Sequence, residues 1–100
     1  MCVYISDPPE VSVQGVTELI EYSKLELTCI ITPGNPAIIA SSTWGFVPKY
    51  PDSPALPGQV ENTKLTVERV VYTDAGTYSC TAGNTAGSDT GEVVVAVLCE

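Results

Sequence analysis

The run Asp74-Ala75-Gly76-Thr77-Tyr78-Ser79-Cys80, set inside residues 65–87, dictates more about this chain than any other stretch. Ahead of it Leu65 and Val67 alternate with polar neighbours, and within and after it Tyr78, Cys80 and Ala82 alternate in the same way. A period of two places each set on one face of a strand. Gly76 suits the tight bend into the second strand, where a Cβ would be costly. The pattern recurs at residues 25–31, where Leu25, Leu27, Cys29 and Ile31 share one face and Glu26 and Thr28 the other. Trp44 and Phe46 share a face, as do Val93, Val95 and Val97. Such alternation is what a sheet with one wet face requires.

The D-x-G-x-Y-x-C run resembles the E strand, E–F corner and F strand of an immunoglobulin domain. Residues 80–87, Cys-Thr-Ala-Gly-Asn-Thr-Ala-Gly, look like the F–G hairpin of the intermediate set (I-set), whose pattern is C-x-A-x-N-x-x-G. The resemblance implies an all-β, two-sheet antiparallel Greek-key sandwich over residues 8–98, with an extension at 1–7 and a short end at 99–100. It implies a core signature of Trp44, Leu65, Asp74, Gly76 and Tyr78. Tyr78 would form a tyrosine corner, its ring in the core and its hydroxyl bonded to backbone a few residues upstream. Cys29 and Cys80 take the B and F positions, so a disulfide between them is implied, with Trp44 packed on it. Asp74 is expected either to cap the E–F corner or to pair with Arg69 or Lys64.

Along the chain, Pro8-Pro9 resembles the start of an I-set strand A, an edge position that tolerates a missing N–H. Val11 and Val13 belong to that strand, Gly15 supplies a kink, and residues 16–21 form A′, which switches to the other sheet. A turn at Tyr22-Ser23 leads to strand B at 25–31. Thr32-Pro33-Gly34-Asn35-Pro36 is a turn, and Trp44 follows Cys29 by 15 positions. Ile38 and Ile39 therefore lie either at the start of strand C or exposed in an enlarged B–C loop, with strand C itself at 43–47. Pro48, Pro51, Pro54 and Pro57 recur at every third residue, the period of polyproline II. This run is expected to replace strands C′ and D with a stiff crossover that denies the sheet edge to intruders; the other reading is a ligand for a proline-binding domain. Only 21 positions separate Trp44 from Leu65, too few for the extra strand of an antibody variable domain. Strands E, F and G are expected at 64–69, 76–82 and 90–98, with a turn at 83–88.

One hundred residues make one domain, marginal without covalent help, and the 4 Cys suggest that help. The 12 acidic against 4 basic residues, net −8, argue against nucleic acid and anionic membranes as partners. No apolar run approaches the ~20 residues of a membrane span. The opening stretch, residues 1–5, is too short for a signal peptide, so the chain is expected to be one domain of a longer polypeptide. Without any His, no Ser–His–Asp or Cys–His constellation can form, and zinc is not expected. Asp7 with Glu10 and Glu18 with Glu21 read as solvating carboxylates. The glycine-bounded segment 83–87 has no Lys or helix after it to hold phosphate. No cofactor is expected, and no N-x-S/T sequon occurs.

Cys2 and Cys99 admit several pairings. Strand A of such a sandwich starts at the pole of the B–C and F–G loops, whereas strand G ends at the opposite pole. Six extended residues cover only ~20 Å, and a bridge needs Cα atoms within ~7 Å. A Cys2–Cys99 bridge would therefore need the amino-terminal segment folded back along strand G. Bonds to neighbouring domains, a disulfide-linked dimer and free thiols are the alternatives. The expected function is a non-catalytic recognition or adhesion module of an extracellular or cell-surface protein, contacting a protein partner or neighbouring immunoglobulin-type domains, homophilic contact included. Candidate contact residues are Asn35, Ile38, Ile39, Asn84 and Thr85 at the loop pole, with the outer face of the C, F and G strands as rival surface. The alternative is an intracellular spacer like the I-set beads of giant muscle proteins, distinguished by reduced thiols.

Overall fold

The structure, a computed structural model, describes residues 9–32, 34, 41–50, 56, 58–61 and 63–98. Their alternating apolar positions form β1 (Glu10–Gly15), β2 (Glu18–Ile20), β3 (Leu25–Thr32), β4 (Ser41–Pro48), β5 (Gln59–Glu61), β6 (Lys64–Val67), β7 (Gly76–Asn84) and β8 (Gly87–Leu98). A 3₁₀ turn at Tyr72–Asp74 joins β6 to β7. One sheet runs β1-β3-β6-β5 and the other β2-β8-β7-β4. All pairings are antiparallel except that of β2 with β8, which is parallel.

The inward faces of the two sheets meet at Leu25, Leu27, Leu65, Val67, Val70, Tyr78 and Val95, with Trp44, Phe46, Val93 and Val97 partly buried against them. Each fully buried aliphatic side chain contributes about 1.5–3 kcal/mol relative to exposure. The two layers also close at one side. A Cβ on Gly91 would come within 2.8 Å of the Ser12 Cα, so the missing side chain lets β8 lie directly against β1. There the Val11 amide donates to Asp89 Oδ2 at 2.7 Å.

The expected strands are all present, with shifted bounds and one addition. Strand D, expected to be lost to the proline run, exists as β5 and pairs with β6. Its residues lie past the last proline, so every one can donate to the ladder. Gly58 makes the turn into it at φ +79°, and a Cβ there would overlap the Thr66 carbonyl oxygen. Pro51, Pro54 and Pro57 lie outside the described residues, as do Asn35, Ile38 and Ile39. A′ is shorter than expected, because Val16 is exposed and β2 spans only Glu18–Ile20. β6 stops at Val67 because the chain turns off the ladder: the next strand-closing bond, Val70 N to Ser23 O at 2.9 Å, ties it to the turn before β3. β7 and β8 are longer than expected, and the turn between them is correspondingly tighter.

Candidate functional site

Cys29 on β3 and Cys80 on β7 are joined by a disulfide across the two layers, their Cα atoms 6.1 Å apart. Both are almost fully buried. Trp44 stands opposite Cys80 in the β4–β7 register and packs, partly buried, against the core. Cys2 and Cys99 lie outside the described residues.

The E–F corner holds the rest of the signature. The buried Tyr78 hydroxyl donates to the Asp74 carbonyl oxygen at 2.6 Å, and its ring lies 4.7 Å from that of Phe46. Burial, and after it the Asp74 charge, pushes the Tyr78 phenol far above its ordinary range. Asp74 caps the corner: its Oδ2 accepts from the Val71 amide at 2.9 Å. The alternative partners are engaged elsewhere, Lys64 with Glu26 at 2.8 Å and Arg69 over the Tyr22 ring at 4.6 Å. Gly76 is required by close approach, since a Cβ there would overlap the Val47 carbonyl oxygen. Leu65 is fully buried.

At the loop pole, Asn84 closes the hairpin between β7 and β8. Its Oδ1 accepts from the amides of Ala86 at 2.8 Å and Gly87 at 3.2 Å, an Asx-type turn that leaves only Thr85 and Ala86 between the strands. Asn84 is buried and Thr85 exposed. Of the candidate contact residues, the described part of this pole therefore offers Thr85 to solvent, while Asn84 sets the shape of the loop.

The outer face of the second sheet is different in character. Register places Val47, Thr77 and Val94 side by side across β4, β7 and β8. Val47 is 68% exposed and Val94 70%, and they help line a shallow groove of about 360 Å³. Thr81 and Thr90 pair hydroxyls at 2.8 Å further along the same face. Sequence alternation assigns these side chains to the wet side but gives no hint that two of the least covered valines would adjoin.

Charge collects on the other sheet. Glu26 on β3 lies between Lys64 at 2.8 Å and Lys24 at 3.3 Å. Hydrogen bonds to Lys64 and then Lys24 hold its carboxyl below the ordinary range, and Glu26 raises Lys64 in return. Among the described residues, no group of three or more His, Cys, Asp or Glu is placed to hold a metal ion. No helix among them is long and apolar enough to cross a membrane.

Comparison with known proteins agrees with this geometry. The family model for the immunoglobulin domain matches residues 8–84. The human MAM domain-containing glycosylphosphatidylinositol anchor protein 1 is 33% identical over 87 residues, covering 81% of this chain and 9% of that protein. The full ectodomain of mouse nectin-like molecule 4, spanning three Ig domains, superposes with a TM-score of 0.78 at 27% identity, covering 92% of this chain and 31% of that one. A three-Ig segment of titin superposes at 0.63 with 23% identity, covering 95% of this chain and 34% of that one, a likeness of fold alone. The chain thus spans a small part of each relative, and on its sandwich, its β3–β7 disulfide, its tyrosine corner and the family match it belongs to the immunoglobulin-domain family.

Proposed function

We propose that the chain is a non-catalytic recognition module of the intermediate set, carried by an extracellular or cell-surface multidomain protein and contacting another protein. The buried Cys29–Cys80 bridge carries this reading, because disulfides form and persist in oxidising compartments and are rare in the cytosol. The resemblance to a glycosylphosphatidylinositol anchor protein and to a nectin-like ectodomain supports the same compartment. Candidate contact surfaces are the loop pole, with Asn35, Ile38, Ile39, Asn84 and Thr85, and the outer face of β4, β7 and β8. Neighbouring immunoglobulin-type domains are natural partners in either arrangement.

The test is a non-reducing peptide map with free-thiol counting on protein from its native source. Cys29 and Cys80 are expected in one bridged peptide. The same map assigns Cys2 and Cys99 to each other, to another chain or to free thiols. If all 4 cysteines of the chain count as free, the reading is overturned in favour of an intracellular spacer.

A further inference from the structure

We propose that Tyr50 and Tyr72 form an oxidative cross-linking site, where peroxide-driven one-electron oxidation joins the two phenol rings into a dityrosine. The inference goes beyond the recognition reading and holds whichever surface meets a partner. Both side chains are exposed, and their ring centroids lie 5.4 Å apart in a T-shaped contact at 75°. The backbone beneath them is held. The Lys49 amide, next to Tyr50, donates to the Ala75 carbonyl oxygen at 3.0 Å, and Tyr72 opens the 3₁₀ turn, its carbonyl accepting from the Ala75 amide at 3.2 Å. Two segments distant in sequence thus present their rings to each other on a common support. Tyr78 is fully buried with its hydroxyl bonded to the Asp74 carbonyl, so its proton has no path to water. Tyr22 is exposed, but Arg69 covers its ring at 4.6 Å. Among the described residues, no other two tyrosine rings are in contact.

A haem peroxidase charged with hydrogen peroxide supplies the oxidant, the peroxide accepting two electrons and two protons and leaving as two waters. Each phenol gives up one electron and its hydroxyl proton, which leaves a radical with spin on the Cε carbons beside the oxygen. A small turn of either exposed side chain brings the ring edges together, and one Cε–Cε bond forms. The hydrogen on each joined carbon leaves as a proton, each phenolic oxygen takes one up, and both rings regain aromaticity. The chain loses two hydrogens in all. Placement decides which radicals meet. Groups held on one framework face each other at an effective concentration of about millimolar or more, whereas two copies of net −8 repel. Coupling within a copy therefore outruns coupling between copies when the chain is micromolar. The product fastens the segment just past β4 to the E–F corner and closes the chain from 50 to 72, which restrains the unfolded state as a disulfide does.

The test treats the intact, disulfide-bonded chain, at micromolar concentration, with a haem peroxidase and limiting hydrogen peroxide. Blue dityrosine emission is expected from a species that stays monomeric on a denaturing gel. Its mass should be lower by two hydrogens, and its digest should contain one joined Tyr50–Tyr72 peptide. The joined chain should also melt at a higher temperature than the untreated one. Tyr50→Phe and Tyr72→Phe keep the ring contact and should each lower dityrosine in the monomer by about tenfold or more, because the remaining radical then finds a partner only on another copy. Tyr22→Phe should leave it unchanged. The melting temperature of each variant, measured before oxidation, separates lost coupling from lost fold. A map that joins Tyr22 or Tyr4 instead, dityrosine found only in linked dimers, or a monomer yield indifferent to Tyr72→Phe would overturn the proposal. So would the absence of dityrosine once the peroxide is consumed. None of these outcomes touches the Cys29–Cys80 bridge, on which the recognition reading rests.

Discussion

At the scale of single residues, Tyr78 shows how one side chain serves two requirements. Its ring fills the core beside Phe46, and its hydroxyl satisfies the Asp74 carbonyl, which the corner buries. Tyr78→Phe keeps the ring and leaves that carbonyl without the hydroxyl, so a loss of about 1–3 kcal/mol is expected from urea unfolding. Glu26 illustrates a milder effect. Its folded pKa lies below its ordinary value, so its contribution to stability is fully present above the usual carboxylate range and fades as pH falls through the lowered folded value. Lys64, raised by the same pair, contributes fully below the ordinary lysine range and loses that contribution as pH climbs through its raised folded value. An NMR titration should find Glu26 ionising below the ordinary glutamate value, and Lys64→Ala should move it upward.

Between elements, the main covalent tie is the bridge from β3 to β7. It closes a separation of 51 residues, which in the chain-entropy model contributes about 4 kcal/mol. That is a large share of the ~5–15 kcal/mol typical of a whole domain. Cys80→Ala should therefore lower stability by several kcal/mol relative to the oxidised protein and by far less relative to the reduced one. Equal denaturation midpoints for the variant and the oxidised chain would show that the bridge is not formed in solution. Trp44 tests the packing of β4 in the same way. Its ring is partly rather than wholly buried, so Trp44→Ala should cost about 3 kcal/mol, the low end for a large aromatic in a core. A loss below about 1 kcal/mol would contradict that packing, given the usual cost of emptying an aromatic site.

For the molecule as a whole, the decisive quantity is the excess of carboxylates. Net −8 disfavours the compact state through self-repulsion, while the exposed, solvent-screened pairs of the Lys24–Glu26–Lys64 cluster oppose it only weakly. Salt screens both, but the repulsion involves many more charges. The melting temperature should therefore rise as sodium chloride is added, and a fall would mean that the cluster dominates.

The sequence by itself determined the strands other than β5, and their faces, because these follow from local chemistry. Period-two alternation sorts Leu25, Leu27, Tyr78 and Val95 inward wherever a sheet has one wet side, whereas the Tyr78 corner was legible through the resemblance of the Asp74–Cys80 run to an immunoglobulin domain. The pairing of Cys29 with Cys80 was legible only through family resemblance, since spacing alone permits other partners. Tertiary structure decided what depends on residues distant in the chain. Asp74 caps rather than pairs because Glu26, on another strand, engages Lys64, and β5 survives because a β6 edge is there to receive it. The row of Val47, Thr77 and Val94 exists only through register, which brings three separate strands side by side, and no local pattern encodes that alignment.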